Sequence, residues 1–209
     1  MSYLTIALAK GRLAEKSVEL FSKAGVAFGL DEGSRRLIFT NEERRLKIIL
    51  SKAGDVPTYV EYGAADLGVV GKDTLMEEKR NIYEVMDLKF GNCKMVAAGY
   101  EKNSELLRNG NNFRVATKYP AITGDYFRGR KQTVEIIKMT GSVELAAVSG
   151  LADMIVDLVS TGTTLKENGL IVFSDIADIS ARLVINRVSL KMEHDRITGL
   201  ITGLRGALK

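Results

Sequence analysis

Two stretches of this chain run parallel without a gap, and no other feature narrows the fold as far. GDVPTYVEYGAAD at 54–66 and GSVELAAVSGLAD at 141–153 carry Gly, Val, Gly, Ala and Asp at matching places. Each opens on a helix start, with Asp55 or Ser142 as the N-cap and Pro57 in the first turn of the earlier copy. Each closes on an acid, Asp66 or Asp153, beside an apolar run that reads as a strand. Five identities in thirteen positions prove little in one window. Joined to the same order of elements on either side, they predict two similar α/β lobes.

The flanking segments fill in the plan. Leu4–Ala9 reads as a strand ending in Lys10-Gly11-Arg12, followed by a helix over Leu13–Ala24. Arg35–Thr40 and Leu46–Leu50 read as strands joined by a polar turn at Asn41–Glu43, and Asp66–Val70 as the next strand, ending in Gly71-Lys72-Asp73-Thr74. In the second half, Arg114–Thr117 ends in Lys118-Tyr119-Pro120 as the first strand ended in Lys10, and Val134–Ile137 is the strand before the second copy. Lys89–Gly99 is the expected crossing between lobes and Asp175–Val188 the expected return. Lobe one is therefore assigned 1–88 plus 179–209, and lobe two 89–178. A C-terminal helix over Lys191–Leu208 carries Gly199, Gly203 and Gly206 at spacings that admit another helix closely. Asn103–Asn112 is expected to be a flexible loop. In such a pair, loops after corresponding strands face each other across a cleft. Lys10, Arg12, Lys52 and Lys72 would line one wall, and Lys118, Lys138, Asp157 and Ser160–Thr164 the other.

The chemistry concentrates in ELAAVSGLADMIVDLVSTGTTL at 144–165. Ala152–Val159 is almost wholly apolar and reads as a buried parallel strand, with Asp157 near its C-terminal end, where open α/β sheets place ligands. Ser160-Thr161-Gly162-Thr163-Thr164 then precedes a short helix closed by Gly169. Hydroxyls and free N–H groups at a helix start suit a phosphate; serine and threonine serving only as helix caps is the plainer alternative. The Asp157 carboxylate suits the vicinal hydroxyls of a ribose 5-phosphate, or a metal that bridges them. Asp66 and Asp153 are expected to bond backbone N–H groups at their helix–strand turns, and Glu144 sits in a helix's first turn.

Composition excludes several classes. The net charge of +4 comes from cations interleaved with acids, which does not favour nucleic-acid binding. One cysteine, Cys93, fits a reducing compartment, and no apolar stretch is long enough for a signal peptide or a membrane span, so a cytoplasmic protein is expected. With one His, in a polar C-terminal stretch at His194, a His/Cys zinc site is not expected; any metal would be a hard ion such as Mg²⁺.

The run from Glu144 through Gly150, Ala152, Ile155, Asp157, Leu158, Thr161, Gly162 and Thr164 to Leu165 resembles the signature of the ATP phosphoribosyltransferases. Lys10-Gly11-Arg12, Asp55–Tyr59, Ala65–Gly68, Ala116–Pro120 and Gly141–Glu144 resemble that family's other blocks, in the same order. The resemblance implies a periplasmic-binding-protein-like (type II) pair of lobes and the short form that lacks a C-terminal regulatory domain. It implies a Mg²⁺-dependent glycosyltransferase joining N1 of ATP to C1′ of phosphoribosyl pyrophosphate (PRPP), the opening step of histidine biosynthesis. It further implies a homodimer of this chain that works with a regulatory subunit related to histidyl-tRNA synthetase. On that footing Asp157, Ser160, Thr161, Gly162, Thr163, Thr164 and Glu144 are PRPP-binding candidates. Lys10, Arg12, Arg35 and Lys52 are the catalytic candidates, and Gly11, Lys72, Asp73 and Lys118 are ATP-binding or cleft-lining candidates. Lys52 stands where many relatives carry Arg, keeping the charge but losing the planar fork that grips two oxygens. A two-lobed module that binds a small anion without chemistry is the rival reading, followed by another two-lobed transferase or lyase.

Overall fold

The computed structural model describes residues 2–28 and 36–208. The chain divides into two compact units, Met1–Gly91 with Ser180–Lys209, and Asn92–Ile179. Unit one holds β1 (Leu4–Ala9), α1 (Arg12–Lys23), β2 (Ile38–Asn41), β3 (Leu46–Ser51), α2 (Val56–Glu61), β4 (Leu67–Gly71), α3 (Lys72–Glu78) and β5 (Tyr83–Asp87). Unit two holds β6 (Cys93–Gly99), α4 (Ser104–Asn109), β7 (Phe113–Thr117), α5 (Pro120–Gly129), β8 (Val134–Lys138), α6 (Val143–Val148), β9 (Met154–Val159), α7 (Thr163–Glu167) and β10 (Ile171–Ile179). The chain then returns to unit one through β11 (Ala181–Ile185), α8 (Ser189–Met192) and α9 (His194–Ala207). No helix among the described residues is long and apolar enough to cross a membrane.

The strand order confirms the repeat read from the sequence. Unit one runs β2-β3-β1-β4-β11-β5, and unit two, read from its far edge, runs β8-β7-β9-β6-β10. In both, three parallel strands are followed by two antiparallel steps. The two matching acids of the repeat do the same job. Thr5 N–H donates to Asp66 Oδ2 at 2.7 Å, and Arg114 N–H donates to Asp153 Oδ2 at 2.8 Å. The bonds reach across to the neighbouring parallel strand rather than to the helix–strand turn, so each acid locks the start of one strand against the next.

Side-chain alternation divides unit one's core between the two faces of its sheet. Ile6 and Leu8 pack with Phe21, Leu20, Ile197 and Leu204 of α1 and α9, while Ala7 and Ala9 face Val56 and Val60 of α2. The small alanines and Gly68 let α2 lie close: a Cβ on Gly68 would sit 2.8 Å from Val60 Cγ2 and 2.9 Å from Val56 Cγ1. Unit two solves the same contact the other way round, with Ile155 on the strand and Ala147 on the helix.

Several expectations change. The helix starts at Asp55 and Ser142 carry no side-chain cap; α2 is entered through a 3₁₀ turn over Ala53–Asp55, and Ser142 takes φ 46°. Asn103–Asn112 is largely helical, because Asn103 donates to Asp153 O and Gln132 donates to Leu106 O and Gly110 O. The crossing strand begins only at Cys93, after left-handed residues at Lys89 and Gly91 break the extended run. The return is two strands in two different sheets, parted at Ser180. The C-terminal helix is interrupted at Glu193, and α3 and α5 were not expected at all.

Candidate active site

In unit two, β9 ends at Val159 and the chain turns through Ser160-Thr161-Gly162 into α7. Gly162 makes this turn possible: it sits at φ 76°, the left-handed region that costs other residues about 1–2 kcal/mol. Lys166 N–H is the first of α7 to bond back to a backbone carbonyl, Gly162 O at 3.1 Å, so the N–H groups of Thr164 and Leu165 lie ahead of the helical ladder, while Thr163 N–H donates to Thr161 Oγ1 at 3.4 Å. The hydroxyls of Thr161 and Thr163 stand 3.0 Å apart. This turn, with Asp157 and Glu144, lines a pocket of about 290 Å³.

Asp157 is the ionisable group in this pocket whose environment is most unusual. It lies on the face of β9 that α6 covers, and its carboxylate accepts a hydrogen bond only from the N–H of Leu158, at 2.8 Å, among the described contacts. Burial raises its pKa; the charge of Glu144 adds to the rise, while the Leu158 N–H and Lys118 work against it. A carboxylate held in this way keeps lone pairs for the hydroxyls of a sugar diol or for a hard cation. Among the described residues no group of three or more His, Cys, Asp or Glu could hold a metal, so the protein offers two carboxylates, Asp157 and Glu144, and not a complete cage.

In unit one, β1 and β3 end side by side, with Lys10 N–H bonded to Ser51 O at 3.0 Å. Lys10 and Lys52 therefore follow neighbouring strand ends, and Arg12 opens α1. Gly11 between them takes φ 88° and ψ −152°, open only to glycine. Lys10, Arg12 and Lys52 are exposed, and none forms an ion pair among the described residues. Cations without an ion-pair partner among the described residues, at the C-terminal ends of parallel strands, suit anionic substrate groups. Arg35, the other catalytic candidate, lies outside the described residues.

The remaining candidates are placed differently from expectation. Lys72 opens α3 with its ammonium 2.6 Å from Glu84 Oε2, and Arg182 reaches the same carboxylate at 3.3 Å. Its charge is therefore already engaged. Asp73 folds back over Gly71, where a Cβ would meet Oδ1 at 2.1 Å. Lys118 also moves in the comparison of the two lobes. Leu8 pairs with Val69 and Thr117 with Val156, so the strands correspond at offsets of 109 (117 against 8) and 87 (156 against 69). Lys118 thus matches Ala9, and Lys10 matches Tyr119. The residue overlooked in the sequence is Thr117, fully buried, whose hydroxyl bonds on both sides. The signal available in the sequence was a hydroxyl directly after the apolar pair Val115-Ala116 and before Lys118.

The family model described as HisG: ATP phosphoribosyltransferase matches residues 52–206. The ATP phosphoribosyltransferase of Lachnoclostridium phytofermentans is 59% identical over 211 residues, covering 100% of this chain and 98% of that protein. That of Geobacter metallireducens is 52% identical over 206 residues, covering 97% of each. Among solved structures, the ATP phosphoribosyl transferase (HisG:HisZ) complex from Thermotoga maritima superposes with a TM-score of 0.84 at 32% identity, covering 98% of both chains. The periplasmic aliphatic sulphonate binding protein SsuA from Escherichia coli shares the fold alone, with a TM-score of 0.62 at 14% identity over 100% of this chain and 69% of that one. A match of this extent, in sequence and in fold, makes the chain a member of the ATP phosphoribosyltransferase family.

Proposed function

We propose that this chain catalyses the first step of L-histidine biosynthesis, transferring the phosphoribosyl group of PRPP to N1 of ATP. The observation that carries the reading is the pocket in unit two, where the Ser160–Thr164 turn faces Asp157 and Glu144. The 5-phosphate of PRPP is assigned to the N–H groups and hydroxyls of that turn, and the ribose diol to Asp157, with Glu144 beside it. The lone pair of N1 forms the bond to C1′ as the bond from C1′ to the pyrophosphate oxygen breaks, and that oxygen takes the electron pair. The cationic adduct releases a proton from the adenine amino group to solvent, giving N1-(5-phosphoribosyl)-ATP. Positive charge builds on the sugar and negative charge on the departing group, so cations, not a proton carrier, are what the reaction needs. Lys10, Arg12 and Lys52 are assigned to the pyrophosphate and to the phosphates of ATP; their lack of ion-pair partners among the described residues supports this. Lys72 is the weaker assignment, since leaving Glu84 has a cost.

Mg²⁺ fits the donor set: Asp157 and Glu144 are hard oxygen ligands, and too few for a protein-only site, which is the usual arrangement where substrate phosphates complete the shell. When bound it would neutralise charge developing on pyrophosphate. A regulatory subunit related to histidyl-tRNA synthetase belongs to the same proposal, supported by the Thermotoga maritima relative having been solved as a HisG:HisZ complex. So do a homodimer of this chain and a cytoplasmic setting. The test is to incubate the full chain with ATP, PRPP and Mg²⁺, with and without that subunit, and measure pyrophosphate. Release that requires both substrates is expected. Tight PRPP binding with no turnover in either arrangement would instead identify an anion-binding module.

A further inference from the structure

We infer that Thr117 is a positioning residue for PRPP, its hydroxyl holding Lys118 and Asp157 in fixed register across β7 and β9. The inference rests on the reading above. The side chain is fully buried and uses its donor and one acceptor lone pair on backbone next to the two charged residues. It donates to Val156 O at 2.7 Å, one residue before Asp157, and accepts from Tyr119 N–H at 2.9 Å, one residue after Lys118. Its own carbonyl accepts Met139 N–H at 2.8 Å, tying in the segment after β8. One hydroxyl thus clamps the chain that presents the cation to the chain that presents the carboxylate.

The other lobe provides an internal control. At the equivalent pairing, unit one places Leu8 against Val69, and the next residues on each strand are Ala9 and Val70, all buried. The same strand pair forms there with no hydroxyl, so the fold does not require one. The hydroxyl occurs where the following residues are charged, Lys118 and Asp157, and where Lys118 is near enough to lower the pKa of Asp157. Both strand pairs keep their register, but an apolar pair tolerates small displacements that charged groups meeting a sugar phosphate do not, because a misplacement of about 1 Å can cost ~100-fold.

The experiment compares Thr117→Val, Thr117→Ser, Lys118→Met and the double variant Thr117→Val/Lys118→Met in the full chain, reading KM for PRPP and for ATP and PRPP affinity by calorimetry. Thr117→Val is expected to raise KM for PRPP about 10-fold or more while leaving that for ATP within about twofold. Thr117→Ser should return PRPP affinity to within about threefold of the parent, and on the Lys118→Met background Thr117→Val should add less than about twofold. Equal effects of Val and Ser, equal shifts for both substrates, or full multiplication on the Lys118→Met background would each overturn the assignment. If Thr117→Val does not fold, Thr117→Ala replaces it; a chain that folds only with a hydroxyl here has a structural Thr117, which also overturns it. Loss of PRPP binding in the parent chain itself would bring down the functional reading, whereas a parent that binds PRPP beside an unaffected Thr117→Val removes this residue alone.

Discussion

Replacing Asp157 by Asn should move stability and substrate binding in opposite directions. The carboxylate is half-buried, accepts one described hydrogen bond, and has its pKa raised first by burial and then by Glu144. As pH rises, the unfolded chain loses this proton before the folded chain does, so folding is penalised once the group is ionised in both states, as at neutral pH. Asparagine removes that charge and keeps an oxygen for the Leu158 N–H. Unliganded Asp157→Asn should therefore melt higher than the parent at pH 7, and the gap should close in acid, where Asp157 is protonated in either state. Binding responds the other way. A hydrogen bond between a carboxylate and a sugar hydroxyl is worth about 1.5–3 kcal/mol, roughly 10- to 150-fold in affinity. Asparagine retains one acceptor, which places the expected rise in KM for PRPP at about 10- to 50-fold, with ATP within about twofold. Urea denaturation at two pH values, calorimetric titration with PRPP and pyrophosphate release measure all three quantities. A variant that is less stable at pH 7, or that loses PRPP and ATP equally, would show that Asp157 is a structural acid and not the ribose ligand.

Three further outcomes are expected. Burial of Asp87 works to raise its pKa, but the Lys89 N–H and ammonium, the Ser180 hydroxyl and Arg182 outweigh it and hold the value at about 2. A carboxylate depressed from 3.8 to about 2 contributes about 2 kcal/mol above its unfolded value. Asp87→Asn should lose that much in urea denaturation at pH 7, with the difference from the parent shrinking between about pH 4 and pH 2. Gly68→Ala forces a Cβ to within 2.8–3.2 Å of Val60, Val56 and Val184 and should cost about 1–3 kcal/mol. Val60→Ala on that background, which imitates Ile155 over Ala147, should recover part of the loss, and strict additivity in the double-variant cycle would refute the packing argument. Thr161→Val removes a hydroxyl that lies 3.0 Å from that of Thr163, and should raise KM for PRPP about 2- to 10-fold; an unchanged value would take Thr161 out of the phosphate contacts.

Much of the fold was legible because its signals are local. An apolar run such as Leu4–Ala9 declares a strand, Gly25 and Gly169 declare helix ends, and the repeat at 54–66 and 141–153 declares that one plan is used twice. The turn at Ser160–Thr164 was readable for the same reason, since strand, hydroxyls, glycine and helix follow one another directly. Misreadings occurred where distant chain decides the outcome. Asn103–Asn112 looked like a loop from its polar composition, yet Gln132 and Asp153 supply the partners that fold it into a helical turn. Asp55 and Ser142 have the residue types of helix caps, but the preceding backbone does not bring their oxygens to the helix N–H groups.

The sequence by itself determined the twin lobes and the turn at Ser160–Thr164, because spacing along a chain sets periodicity and local conformation; it marked Asp66 and Asp153 as a matching pair but not the neighbouring strands they bond. Tertiary structure alone decided who meets whom. It set Lys72 against Glu84 and Arg182, matched Lys118 with Ala9 and not Lys10, and placed the Thr117 hydroxyl between the neighbours of Lys118 and Asp157. Strand register is fixed by pairing over dozens of residues, and a slip of one residue turns every side chain to the other face, so no local pattern can specify which charge stands opposite which.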